Sequence, residues 1–444
     1  MKHNYAQPTP DIVGMVKASG LKEKAIFTLI AIAVFRFLAQ VPLFGINNEV
    51  FAHIASGNNL IAFIDLFSGG ALGKVSIIAL GIGPYITASI VMQLMAVVVP
   101  QWEQMQKEDG EAGRRKLSQY SRILTVFIAM FQSGIFLSFL THSAPMAIIP
   151  GVNKGLFFFG SMLILTAGAV FIMWLSELIT ERGIGNGGSL LIFAGILAGI
   201  PVYSEKTYQL VSNDAGMQAN LFLLLAIFAA TMVLIVVMQE AIRKVIIVNP
   251  KRQVGNKVYG GINTHIPFKL NPGGVMPIIF AIAILFFPAT VLQFLGQAFK
   301  GGQLEGIFEQ LTQILSPTGF TYYAIYFLLI VFLTFFYASI MPNMQPKDIA
   351  NNLKKHGSSI PGVKPGRPTA EALDKILSKT TFIGAMALGV IALIPSLASK
   401  VTNITTFQGI GATSLIIMVG VALDLINQVK THLLAKQYES FLKE

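Results

Sequence analysis

Ser189, in the run GNGGSLL, has the surface form of a nucleophile, because flanking glycines can leave a hydroxyl open to a substrate. A serine hydroxyl needs a neighbouring base to become reactive. The six histidines are His3, His53, His142, His265, His356 and His432, and all fall in loops, at the edges of apolar runs or in the tails. No HExxH and no P-loop is present. The glycines of GIGNGG (183–188) follow no strand, so they read as a tight turn rather than a phosphate cradle. The chain has no cysteine, which removes disulfides and thiolate metal sites. No catalytic residue, metal site or cofactor is expected, and the chain reads as something other than an enzyme.

Ion-coupled transport is the next chemistry to weigh, and it needs ionisable groups near mid-membrane. Arg36, in VFRFLAQ, is the deepest charge, and it reads as a structural tie to a neighbouring helix carbonyl. Asp65 falls toward the outer side, and Glu177, Glu240 and Asp424 fall near cytoplasmic ends. No carboxylates are paired along a span. An ion-coupled secondary transporter of a small solute is therefore the alternative reading, without the residues it should have.

The elements that would carry these residues are membrane spans. Hydrophobic residues make up 54% of the chain and charged residues 12%, against roughly 25% charged in ordinary globular domains. Apolar runs near the ~20 residues needed to cross a bilayer recur throughout. Ten spans are expected, over 25–43, 75–98, 120–140, 157–178, 188–204, 219–240, 274–296, 321–341, 380–397 and 409–429. The first 20 residues lack the apolar core and cleavage site of a signal peptide, so the first span is expected to insert and stay. Of the 32 Lys and Arg, 26 fall on one set of alternating connections and 5 on the other, with Arg36 inside the first span. That asymmetry places both termini in the cytoplasm. It also explains much of the +11 net charge without a nucleic-acid partner.

The expected fold is an all-α polytopic membrane protein with ten transmembrane helices in two inverted five-helix halves. A cytoplasmic N-terminal segment (1–24) leads to the first half (25–204). The second half (205–429) carries basic cytoplasmic loops over 241–273 and 342–379, and a cytoplasmic tail follows (430–444). Five spans is an odd number, so a second copy starts on the opposite side, as in proteins that build a path between inverted repeats. The correspondence suggested is between span two, preceded by Gly69-Gly70, and span seven, opened by NPGGVMP (271–277). The segment LIAFIDLF is too short to cross the bilayer and reads as a re-entrant piece before span two.

Two basic connections are long enough to need a reason. In the sixth, the β-branched run Val245 to Val248 meets a turn signal at Asn249-Pro250 and a second extended piece follows, which reads as a protruding β-hairpin. In the eighth, a helix-like segment from Asp348 to Lys355 precedes a Pro/Gly turn (360–368) and a helix that starts around Thr369–Ala370–Glu371. Charge alone leaves two uses open, attraction to anionic lipid and docking of a large anionic partner. The protruding structure favours docking.

The motifs FSGGAL, IALGIGPYITASI, EAGRRKLSQYSR, ITERGIGNGGSLLIFAG, VYGGINTHIPFKLNPGGVMP, DIANNLKKHGSSIPGVKPG and QVKTHLLAKQYES run nearly end to end. In order and spacing the chain resembles the SecY family, the central subunits of bacterial protein-conducting translocons. The resemblance implies a passive channel for unfolded precursor polypeptides, which cross the inner (plasma) membrane or pass sideways into the lipid bilayer. It implies SecE-like and SecG-like small subunits as partners, with a ribosome or SecA-type ATPase supplying the work. By position it implies a pore ring of Ile82, Ile86, Ile192, Ile279 and Ile417. It implies a plug over about 60–73, with Ala62, Phe63, Ile64, Asp65, Leu66, Phe67, Ser68, Gly69 and Gly70 at its centre. It implies a lateral gate between spans two and seven with Thr87, Gln93 and Phe287, Thr87 and Phe287 facing each other. Docking falls to Lys251, Arg252 and Lys257 in the sixth connection and to Lys364 and Arg367 in the eighth. This chain has PGVKPG where the family usually has Pro-Gly-Ile-Arg-Pro-Gly, so Lys364 keeps the charge without the bidentate fork of arginine, and Arg367 stands three residues on as a candidate to compensate. Asn256 stands where the family often has a basic residue.

Overall fold

The computed structural model describes residues 20–51, 65, 68–107, 110–143, 145–151, 153–213, 216–249, 251–254, 257–260, 264–298, 305–315, 319–340, 345–402, 404 and 412–441. Each of the ten expected spans falls on a helix: α1 (Leu21–Leu38), α2 (Gly83–Val98), α4 (Gly110–Ser143), α5 (Lys154–Arg182), α6 (Gly187–Asn213), α7 (Met217–Glu240), α8 (Met276–Ala298), α10 (Phe320–Ile340), α12 (Arg367–Thr402) and α13 (Ala412–Phe441). Shorter helices α3 (Pro100–Lys107), α9 (Glu305–Ile314) and α11 (Pro346–Lys355) lie between them. Among the described residues seven helices, α4 to α7, α10, α12 and α13, are long and apolar enough to cross a membrane. α2 and α8 are shorter apolar helices. α1 carries Lys22, Glu23, Lys24 and Arg36 within its 18 residues.

The first two spans end differently from expectation. α1 stops at Leu38, and α2 begins only at Gly83, eight residues later than its apolar run suggests. The residues left over form turns that are tied to each other by an isolated bridge. Leu43 N–H donates to Val75 O at 2.8 Å, Ile77 N–H donates to Val41 O at 3.1 Å, and Pro42 bridges Ser76. Pro42 disfavours helix for the residue before it. Gly81 takes the left-handed conformation (φ +55°), and Pro84 sits in the first turn of α2, where its missing N–H costs nothing. Val75 holds φ +42°, a strained value for a β-branched residue. It is fully buried in the outer cluster of Leu43, Phe51, Leu72, Leu137 and Leu140.

The main core joins both halves. Phe35 of α1, Ile172 of α5, Ile235 of α7, Ile330 of α10 and Leu388 of α12 all belong to one apolar cluster. The halves meet on one side where α8 packs on α2 and α4, and on the other where α6 packs on α7 and α13.

The sixth connection is a hairpin of two antiparallel ladders. β1 (Ile242–Ile247) pairs with β4 (Thr264–Lys269), and β2 (Lys251–Val254) pairs with β3 (Lys257–Gly260). Asn249-Pro250 therefore marks a break between the ladders rather than the hairpin turn, since Pro cannot donate to a ladder. The 36 residues of α12 extend about 54 Å, well beyond one bilayer crossing, so the helix that leads into span nine and span nine itself are one rod. Leu373 and Leu377 of that rod pack with Val245, Phe268 and Ile360 into a third apolar cluster.

Candidate functional site

Four helices from both halves bring the five isoleucines into one region. Ile82 caps the start of α2, Ile86 lies one turn on, and Ile192, Ile279 and Ile417 come from α6, α8 and α13. All but Ile86 are at least 95% buried, and Ile86 packs half-buried against the same cluster. A cavity of about 300 Å³ opens above them. Ile86, Ile192 and Ile279 line it together with Gln93, Arg122, Glu177, Asn186 and Ser189. The Arg122 guanidinium pairs with the Glu177 carboxylate at 2.9 Å on its wall. The result is a chamber of mixed lining in which three β-branched side chains from α2, α6 and α8 stand beside charged and amide groups.

The placement of Ile86 and Ile279 has a common origin. α2 is entered by Gly81-Ile82-Gly83-Pro84 and α8 by Gly274-Val275-Met276-Pro277, with the leading glycine left-handed in both (φ +55° and +59°). Ile86 and Ile279 each follow two residues after the proline. The Gly-x-x-Pro-x-Ile repeat is therefore the residue-level correspondence between the halves. The repeat lies on the suggested pair of spans two and seven, at Gly81 in span two rather than at Gly69-Gly70.

Ile192 is held by the glycine turn before α6. Gly183 N–H donates to Ile179 O at 2.7 Å, and Gly187 N–H donates to Thr180 Oγ1 at 2.8 Å. A Cβ on Gly187 would stand 1.9 Å from Ser176 O, so α5 and α6 approach too closely there for any side chain. Asn186 caps α6 by accepting from Ser189 N–H at 3.1 Å, and the Ser189 hydroxyl also turns toward Asn186. Two side chains from other helices, Thr28 outside every sequence motif and Gln428 at the start of QVKTHLLAKQYES, complete the turn. Thr28 Oγ1 on α1 accepts from Ile184 N–H at 3.1 Å, and Gln428 Oε1 on α13 accepts from Gly185 N–H at 2.8 Å. The second bond crosses between the halves.

Of the plug residues, Ala62, Phe63, Ile64, Leu66 and Phe67 lie outside the described residues. Asp65, Ser68, Gly69 and Gly70 form a closed knot. Asp65 accepts from Gly73 N–H at 2.6 Å and from Gly70 N–H at 2.8 Å, and Ser68 Oγ accepts from Leu72 N–H at 3.0 Å. Arg36 Nη1 donates to Gly69 O. The carbonyl that Arg36 ties belongs to this knot rather than to a neighbouring span. A Cβ on Gly69 would lie 2.9 Å from Gly195 Cα, one helical turn beyond Ile192.

On the face where α8 packs against α2 and α4, Phe287 meets Phe131 of α4, with centroids 6.3 Å apart. Thr87 Oγ1 donates to its own helix, at Gly83 O. Gln93 Oε1 accepts from the Tyr337 hydroxyl of α10 at 2.9 Å, so α10 shares the seam with α8.

The two basic connections form one body. Val248 and Ser359 exchange backbone hydrogen bonds of 2.9 and 3.1 Å, and Ser358 Oγ donates to Asn249 Oδ1 at 2.8 Å. Lys251 and Arg252 lie on β2 and Lys257 on β3; their side chains are outside the described residues. Lys364 is exposed at the tip of a turn shaped by left-handed Gly362 and Gly366. Arg367 is exposed too, but its guanidinium pairs with Glu371 at 3.0 Å.

A family model described as SecY matches residues 76–426. The protein translocase subunit SecY of Synechocystis sp. (strain ATCC 27184 / PCC 6803 / Kazusa) is 42% identical over 435 residues, covering 97% of this chain and 96% of that one. Among solved structures, the fold matches that of a protein conducting channel with a TM-score of 0.66 and 16% identity, over 93% of this chain and 92% of the other. It also matches Sec61 in the canine ribosome-channel complex from the endoplasmic reticulum, with a TM-score of 0.59, 16% identity and coverage of 93% and 92%. A multi-pass helical membrane protein that the SecY model matches over residues 76–426, and with which a translocase subunit aligns at that identity over nearly its whole length, belongs to the SecY family.

Proposed function

We propose that this chain is a protein-conducting channel that passes unfolded polypeptides across the membrane and releases apolar segments sideways into it. The observation that carries this reading is that isoleucines from α2, α6, α8 and α13, contributed by both halves, belong to one apolar cluster, three of them, Ile86, Ile192 and Ile279, lining a cavity. A collar of that kind holds back water and ions by dewetting, yet yields to a sliding chain. Its β-branched side chains have few rotamers and keep the aperture defined. The knot at Asp65–Gly73 anchors a plug over 60–73. The seam of α2, α4, α8 and α10 is the side exit.

The chain itself supplies no work. The platform built from the hairpin and the eighth connection receives a ribosome or a SecA-type ATPase, with Lys364 the free cation at its tip. The Sec61 ribosome-channel complex of like fold supports a ribosome as a partner. SecE-like and SecG-like subunits brace the two halves. The reading divides the chain as 1–24, 25–204, 205–429 and 430–444, with the platform loops at 241–273 and 342–379. The translocase relative leaves no support for an ion-coupled solute transporter.

The test is reconstitution into proteoliposomes with a SecE-like subunit, a SecA-type ATPase, ATP and a signal-bearing precursor. Protease-protected precursor is expected only when all are present. Its absence under those conditions would remove the translocation reading.

A further inference from the structure

A second and larger cavity, about 930 Å³, lies where spans eight and nine leave the membrane on the cytoplasmic side. Its floor is apolar, built from Phe335 and Ala338 of α10 and Leu377 of α12. Both helices are among those long and apolar enough to span a bilayer. Two helix starts open onto the rim, α11 at Pro346 and Lys347 and α12 at Gly366 and Arg367. Helix N-termini present positive potential and favour phosphate.

The charges on this rim are mixed. Arg367 pairs with Glu371 at 3.0 Å. Lys347 and Asp374 also line the cavity, and among the described residues neither has an ion-pair partner. One free cation and one free carboxylate therefore flank a phosphate-favouring rim.

A third feature points inward. Thr381 is 1% exposed, lines the same cavity, and among the described residues its hydroxyl has no hydrogen-bond partner. A threonine within a helix ordinarily donates to the carbonyl four residues back. Its neighbour Thr380 does so, to Ile376 O at 2.8 Å. A buried hydroxyl left unpaired carries a desolvation penalty that a ligand acceptor would relieve.

We propose that this cavity binds one phospholipid whose headgroup carries both a phosphate and a primary ammonium. The phosphate sits at Lys347 and the two helix starts. The ammonium reaches Asp374. The Thr381 hydroxyl donates to a glycerol-ester carbonyl, and the acyl chains lie against Phe335 and Leu377. A headgroup with net negative charge fits less well, because both Asp374 and Glu371 face it. Lipid rather than free phosphate is the occupant, because the cavity floor is formed by membrane-spanning helices.

Delipidated full-length protein in detergent is titrated with dioleoylphosphatidylethanolamine, and bound lipid is counted by native mass spectrometry. One tight site is expected, bound about tenfold more strongly than dioleoylphosphatidylglycerol or dioleoylphosphatidylcholine. Lys347→Gln and Asp374→Asn should each weaken it about tenfold, the loss of one charge-assisted contact. Thr381→Val should weaken it by a smaller factor. Lys347 and Asp374 are exposed, so unchanged thermal unfolding without lipid is expected for both variants. Equal binding by the variants and the parent would overturn the proposal. So would a preference for phosphatidylglycerol, or displacement of the lipid by inorganic phosphate alone.

Discussion

Arg36, the one charged residue deep in the first span, donates its guanidinium to the backbone carbonyl of Gly69, at the end of the knot that precedes span two. Gly69 at the same time presses its Cα face against Gly195 of α6, one turn from Ile192. Two contacts of one glycine therefore link the first span, the proposed plug and a helix of the proposed collar. The cost of a charge in the membrane is met by a hydrogen bond with a positional consequence.

Replacing Arg36 by Gln should loosen that anchor. A hydrogen bond to a charged group contributes about 1.5–3 kcal/mol, so the unanchored state should gain at least about tenfold. Conductance of the reconstituted channel across a planar bilayer, with no precursor present, should rise. A leak no larger than that of the parent would show that the contact does not hold the plug.

The seam should be read by a double-mutant cycle on Gln93 and Tyr337, whose hydrogen bond joins α2 to α10. Tyr337→Phe and Gln93→Ala should each lower the apolarity that a test segment needs for lateral insertion. The double variant should do little more than either single one, with a coupling of about 1 kcal/mol. Strictly additive effects would place the bond outside the opening step.

Glycine substitutions separate contact from conformation. Gly187→Ala drives a Cβ to within 1.9 Å of Ser176 O and should lower stability by about 1–3 kcal/mol, as overpacking does. Gly160→Ala, inside α5 with open space around it, should be neutral or stabilising by up to about 1 kcal/mol. Thermal unfolding in detergent measures both. The same ranking for the two would contradict the close approach of α5 and α6.

At the platform tip, Lys364→Ala should weaken binding of a SecA-type motor about tenfold. Arg367→Ala should weaken it less than about threefold, because its guanidinium is committed to Glu371 and the ion pair is exposed, worth about 0–1 kcal/mol. Surface plasmon resonance on nanodisc-embedded protein distinguishes them. A larger effect from Arg367 would mean that it leaves Glu371 for the partner.

The ten helices were legible because each rests on an apolar run, and hydropathy reads runs well. Their ends were not, where backbone chemistry overrode the run. Val41–Ile46 and Val75–Ile82 are as apolar as a span, yet Pro42 and the left-handed Gly81 interrupt the helix and leave turns joined by the Pro42–Ser76 bridge. Asn249-Pro250 looked like a hairpin tip because the ladder breaks there and then resumes. The isoleucine positions were legible through the resemblance, and the structure adds the Gly-x-x-Pro-x-Ile repeat that places two of them. Thr28 and Tyr337 left no signal, because an isolated polar residue in a span gains meaning only from what another helix brings beside it, and Gln428 and Gly195 stood in quoted motifs without a role for the same reason.

The passage of polypeptide through the collar is open to a cysteine scan on a clean background, since the chain has no native cysteine. Single variants Ile82→Cys, Ile192→Cys, Ile279→Cys and Ile417→Cys are each combined with an arrested precursor that carries one cysteine in its translocating segment. Phe222→Cys on α7, where the side chain is 74% exposed, serves as the outer control. Disulfide adducts should form at all four collar positions and not at residue 222. Adducts absent from the collar, or equally strong at residue 222, would mean that the chain crosses elsewhere.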